Sequence, residues 1–169
     1  MLDIKTKTGQ TIVIRRYTEV DIPQMLDTVE AFLKQDRFIG YENHYKGIDF
    51  DRQKVYNILK SKLDDHSFFT NVVIDEDGKI LGGLTGQITS YIFSRETVAQ
   101  DWLFYFDPNF TNLTVLFALI KTYVDWAERF GVREVQLASS TGFKEQHFER
   151  LMKYIGFKPF SCGYSRRFR

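Results

Sequence analysis

Trp102-Leu-Phe-Tyr-Phe-Asp-Pro-Asn-Phe-Thr-Asn-Leu-Thr-Val-Leu-Phe117 joins an unbroken apolar and aromatic run to Asp107-Pro108, a short polar loop and the start of a long apolar helix. The run Trp102–Phe106 reads as a buried strand. A strand that delivers its end straight into a helix N-terminus gathers unpaired backbone N–H groups at one spot, and such a spot can hold phosphate. Phosphate loops generally use glycine there, for positive φ or for close backbone approach, and this stretch contains none.

Downstream, the apolar helix runs from about Asn112 to Phe130-Gly131, and Glu134–Ala138 reads as a short buried strand. With the Val98–Phe106 strand these form a βαβ unit, which predicts two parallel strands joined by a right-handed crossover. Ser139-Ser-Thr-Gly142 reads as a cap for the amphipathic helix Lys144–Ile155, with Gly156 as its stop signal and one or two strands in 157–169.

Upstream, Phe68–Ile74, the turn Asp75-Glu-Asp-Gly78 and Lys79–Phe93 give a hairpin signal. Gly82 and Gly83 in its second arm point to a bulge or a close backbone approach. Thr11–Tyr17 reads as a first strand and Thr18-Glu-Val-Asp21 as a capping box for a helix reaching about Lys34. Asp49 or Asp51 caps a second helix, and residues 35–49 between the two are irregular. The order β α α β β β α β α β predicts a mixed α/β fold, its sheet flanked by helices on both faces.

The 169 residues are enough for one well-buried core and suggest a single domain over 1–169. With 23 basic and 22 acidic residues, charge gives no case for nucleic acid or an anionic membrane as partner. A single cysteine, Cys162, rules out an intrachain disulfide, and there is no leader-like or membrane-spanning apolar run, which together predict a cytoplasmic protein. His44, His66 and His147 lack metal-ligand spacing, so no metal is expected.

The element order and the 106–116 stretch resemble the GNAT superfamily of acyl-CoA-dependent N-acyltransferases. That resemblance implies a central mixed, mostly antiparallel sheet of about six to seven strands, with CoA bound where strand four passes into helix three. Against the family signature Val-x-Pro-x-x-(Arg/Gln)-Gly-x-Gly-x-(Gly/Ala), this chain has Phe106, Pro108, Thr111, Asn112, Thr114 and Leu116. Asn112 is the best non-glycine residue for a left-handed position, whereas β-branched Thr114 fits the first helical turn. Leu116 stands where the family keeps a small residue against CoA. The closing Gly156-Phe157-Lys-Pro159 is also similar to the family pattern.

The resemblance implies acetyl-CoA as co-substrate and an amine acceptor. The pyrophosphate is expected on the amides of Thr111, Asn112, Leu113, Thr114 and Val115, and the thioester carbonyl on the backbone of Leu103, Phe104, Tyr105 and Phe106. Asp101, a carboxylate inside that strand, is the candidate base. The family's acid position falls on Met152, which cannot donate a proton, so Tyr164 is the remaining candidate acid. Asp36, Tyr41 and Glu42, in the aromatic and charged loop, are candidate acceptor contacts. Two other readings fit the missing glycines: a catalytically silent module used in protein assembly, similar to phage-encoded GNAT-like proteins, and a sensor that binds CoA without turnover. Aromatic strands also make an edge-to-edge homodimer a possible assembly.

Overall fold

The chain starts as an antiparallel pair, β1 (Leu2–Lys5) against β2 (Thr11–Arg16), turned at Gly9 with a φ of 87°. The sequence pattern predicts no strand at β1. It carries only Leu2 and Ile4 as apolar residues and lies at the sheet edge, so its periodic signal is weak. The computed structural model describes residues 1–6, 9–34, 37–38, 41–42, 49–107, 110, 112–138 and 145–160, with backbone alone at 32, 37–38, 41–42 and 145–147.

A 3-10 turn (Glu19–Asp21) leads into α1 (Ile22–Leu33). The Thr18 amide and hydroxyl donate to Asp21 Oδ2 at 2.7 and 2.8 Å, which ties the helix entry together. Arg15 of β2 forks onto the same carboxylate at 2.7 and 2.8 Å. Burial alone would raise the Asp21 pKa, but the bonds from Arg15 and Thr18 outweigh it and hold the group below its ordinary value. Within the stretch read as irregular, β3 (Arg37–Phe38) pairs with β4 (Tyr41–Glu42). The second helix, α2 (Arg52–Ser61), is capped by Asp51, whose side chain accepts from Lys54 N–H at 2.8 Å.

The predicted hairpin forms as β5 (Phe68–Ile74) and β6 (Ile80–Ser90), turned at Gly78 with a φ of 81°. Next come β7 (Thr97–Phe106), α3 (Leu113–Arg129), β8 (Glu134–Gln136) and α4 (Glu145–Tyr154). At Gly156 (φ 90°) the helix ends in two reversed bonds, Gly156 N–H to Lys153 O and Phe157 N–H to Met152 O, the arrangement the glycine predicted. Residues 157–160 carry no strand, and 161–169, where the rest of the closing strands was expected, lie outside the described residues.

Six strands make one sheet in the order β1-β2-β5-β6-β7-β8; β7 and β8 run parallel and every other neighbouring pair is antiparallel. Side chains alternate between two apolar layers. Phe69, Val73, Leu84, Phe104 and Phe106 pack with Leu116, Leu119, Tyr123 and Trp126 of α3 and with Phe148 and Met152 of α4. On the opposite face Val72, Ile74 and Ile80 pack with Ile22, Met25 and Leu26 of α1 and Leu59 of α2. Both close approaches expected of the β6 glycines occur. A Cβ on Gly82 would lie 2.3 Å from Phe106 Cδ1, and one on Gly83 would lie 2.9 Å from Asn71 O. Between Val73 and Ile74 the register also slips, giving a bulge.

Candidate active site

The parallel pair is short. Val98, Ala99 and Gln100 face Glu134, Val135 and Gln136, and there β8 ends while β7 continues to Phe106 along β6. The sheet therefore forks, and among the described residues no strand covers the β8-side edge of β7 beyond Gln100. Leu103, Phe104, Tyr105 and Phe106 all lie along this arm. Phe104 and Phe106 turn to the α3 side, where Phe106 stacks on Phe110 at 5.2 Å, and Tyr105 turns to the α1 side, its ring over Gly83.

Asp101 stands at the vertex. The amide of Ala138, just past β8, donates to its Oδ1 at 2.9 Å. One residue on, Trp102 has no opposite number in β6, because Gly86 pairs with Asp101 and Thr85 with Leu103. A bulge of this kind re-aims the side chains beside it. Burial pushes the Asp101 carboxyl up to about 6, against the lowering effect of the amides of Ala138 and of Asp101 itself. A carboxylate poised near neutral pH has the basicity a general base needs.

The far end of the fork is the loop into α3. Asn112 is its N-cap, extended at φ −79° and ψ 98°, so it does not adopt the left-handed conformation expected of it. Among the described residues none other than glycine has positive φ. An extended N-cap suffices because its Oδ1 accepts from Thr114 N–H at 3.1 Å and Val115 N–H at 3.2 Å. Thr114 sits in the first helical turn, as its β-branched side chain predicts. Leu116 is 1% exposed within the α3 core layer. Beside the loop Lys79, a cation to which no sequence signal points, pairs with Asp107 at 3.1 Å.

Of the other predicted site residues, Asp36, Thr111 and Tyr164 lie outside the described residues, and Tyr41 and Glu42 are described as backbone alone, in β4. Met152, at the family's acid position, packs in the core with Phe148 and Leu137, and Tyr154 is exposed. Among the described residues no three His, Cys, Asp or Glu side chains form a metal-ligand group, and no helix is long and apolar enough to cross a membrane.

Comparison with known proteins places this geometry. No curated protein matches the sequence. Solved structures do match in fold. An aminoglycoside acetyltransferase from an uncultured soil metagenomic sample, in complex with sisomicin, is 22% identical over 92% of this chain and 96% of its own, with a TM-score of 0.62. Glucosamine-6-phosphate N-acetyltransferase from Arabidopsis thaliana is 14% identical over 94% and 98%, with a TM-score of 0.65. An aminoglycoside N-acetyltransferase in complex with CoA is 13% identical over 97% and 99%, with a TM-score of 0.67. The model of the Acetyltransferase (GNAT) family matches residues 26–157, and the chain belongs to that family.

Proposed function

We propose that this protein transfers an acetyl group from acetyl-CoA to a primary amine of a small molecule or protein, with Asp101 as the base. The observation that supports this reading best is the fork with Asp101 at its vertex: a strand edge that no described strand covers, beside a carboxyl of pKa about 6. Acetyl-CoA supplies an activated acyl carbon and a thiolate that leaves readily. Leu103–Phe106 would hold the thioester oxygen through a backbone N–H, in the manner of an oxyanion hole. Asp101 takes a proton from the ammonium form of the amine, or from a water beside it, and so frees the nitrogen lone pair for attack. Tyr164 would return a proton to the departing thiolate. Asp36, Tyr41 and Glu42 would contact the acceptor, the two carboxylates receiving a cationic amine. Much of the rate comes from holding the two reactants in line.

The residues present fit the diphosphate if Asn112 swings aside. Its Oδ1 occupies the amides of Thr114 and Val115, two of the donors that the phosphate oxygens need.

A second reading, a catalytically silent module that binds other proteins, is favoured by the same cap together with the Phe110 ring stacked on Phe106. Calorimetric titration with acetyl-CoA, followed by a thiol-release assay across a panel of aminoglycosides, amino sugars and lysine peptides, separates the two. Saturable heat and amine-dependent thiol release support transfer. Absence of heat at millimolar ligand leaves the silent module.

A further inference from the structure

The α3 core layer holds a polar atom that the reaction above does not use. Tyr123 is fully buried, and its hydroxyl has no hydrogen-bond partner among the described residues. It rises from α3 to the underside of β6 at Gly86, where an added Cβ would meet the Tyr123 oxygen at 2.8 Å and the ring at 2.9 Å. Only a residue without a side chain leaves room for the phenol at that point. Gly86 is also the residue that pairs with Asp101 in β7. Cβ positions directly opposite on neighbouring strands are about 4.5–5.5 Å apart, and a carboxylate reaches beyond its own Cβ. The Tyr123 hydroxyl thus lies near the Asp101 carboxylate without a direct hydrogen bond to it, a separation that one water can bridge.

We infer that Tyr123 is the positioning residue of Asp101, its hydroxyl donating through a bridging water to the carboxylate from beneath the sheet while Ala138 donates from the fork. An ionised carboxylate offers about four acceptor sites, so the amides of Ala138 and Asp101 leave capacity for a third donor. Burial and the nearby Asp101 charge both push the Tyr123 phenol above its ordinary value, so it stays protonated and able to donate. The other rings packed on Tyr123 are the uncharged Phe69 and Trp126, at 5.1 and 5.5 Å. The groups that face Asp101 among the described residues are therefore Tyr123 from α3, Gly86 from β6 and the Ala138 amide beyond β8. A buried donor on one side and a main-chain donor on the other fix the plane of the carboxylate, which decides the direction in which it can take a proton.

The consequence for catalysis rests on the proposed role of Asp101 as base, but the contact does not, and the test keeps them apart. The Asp101 carboxyl is titrated by carbon NMR in the wild type and in Tyr123→Phe. A hydroxyl donates better to the ionised than to the protonated form, so its loss is expected to raise the Asp101 midpoint by about half a unit or more, roughly threefold in proton affinity. If transfer is also measured, the acid limb of kcat/KM moves by the same amount. An unmoved Asp101 midpoint overturns the inference, whatever the activity. A moved midpoint in a protein that transfers no acetyl group upholds the pair and removes the enzyme. Should Tyr123→Phe not fold, the wild-type Tyr123 ring carbon bearing the hydroxyl is followed instead. It is expected to shift with the Asp101 midpoint, and a flat response across that range overturns the pair.

Discussion

Ala138, just past the end of β8, gives its amide hydrogen to Asp101 of β7 at 2.9 Å, so one carboxylate spans the point where the two parallel strands part. Burial raises the Asp101 pKa to about 6 from an ordinary 3.8, so the folded protein binds this proton more tightly than the unfolded chain does. The group's contribution to stability is therefore complete below the unfolded value and is lost as pH rises through the folded one. Asp101→Asn keeps an oxygen for Ala138 and cannot ionise. It is expected to be more stable than the wild type by about 3 kcal/mol at pH 8, with the gap closing below pH 4. Urea denaturation at the two pH values measures this, and an equal difference at both would count against a raised pKa.

The same carboxyl sets the expected pH dependence of transfer. A base must be ionised to work, so the rate should rise through about pH 6 and level off above it. Asp101→Asn should then lower kcat by about 10²- to 10⁴-fold with little change in acetyl-CoA binding. Steady-state kinetics from pH 5 to 9 at saturating amine provide the check. A variant as active as the wild type assigns the base elsewhere.

At the other end of the fork, Asn112 competes with any ligand for the amides of Thr114 and Val115. A side-chain cap contributes about 1 kcal/mol, and glycine at an N-cap costs only a few tenths relative to asparagine. Asn112→Gly is therefore expected to remain folded and to bind acetyl-CoA up to about fivefold more tightly, since the competing oxygen is gone. Calorimetry on the two proteins reads this directly. An unchanged Kd would show that the diphosphate does not use this helix end.

Sequence carried the architecture further than the site. The βαβ unit, the hairpin at Gly78 and the helix stop at Gly156 each rest on local chemistry, either a period or a glycine with positive φ, and each formed as read. Gly82 was legible for a different reason, since a glycine inside a strand marks a close backbone approach. β1 was not, because an exposed edge strand needs few apolar residues. The site depends on distances between segments far apart in the chain. The sequence singled out Asp101 as the acid within β7, but no periodicity indicates that Ala138 reaches it or that Tyr123 rises beneath Gly86. Asn112 shows the limit most clearly: its residue type suits both a left-handed turn and an N-cap, and the helix that follows selects the cap.

Gly82 links this architecture to the loop. An added Cβ would lie 2.3 Å from Phe106 Cδ1 and 2.6 Å from the Tyr105 carbonyl oxygen, so ring and backbone would both have to move. Gly82→Ala is expected to cost about 1–3 kcal/mol, the usual range for overpacking. It should also disturb the Phe106–Phe110 stack, which near-ultraviolet circular dichroism would register alongside a lower Tm. A variant with wild-type Tm would mean that the strands part there without strain.

The Arg15–Asp21 pair makes the opposite pH prediction from Asp101. Arg15 and Thr18 hold Asp21 below its ordinary pKa in spite of burial, so the unfolded chain binds this proton more tightly. The stability it contributes is present above the unfolded value of about 3.9 and is lost as pH falls through the lower folded value. Asp21→Asn leaves the Arg15 guanidinium without its counter-charge and removes one acceptor from the helix entry. Breaking a buried pair costs about 3–5 kcal/mol, and the side chain of Arg15 is 30% exposed, so about 2–3 kcal/mol is the expected loss at pH 7. The loss should shrink as the pH falls below the ordinary carboxylate range, where wild-type Asp21 is itself protonated. Chemical denaturation of both proteins at pH 7 and at the lowest pH where both stay folded gives the comparison. A loss that stayed constant with pH would assign the role to shape and hydrogen bonding rather than to charge.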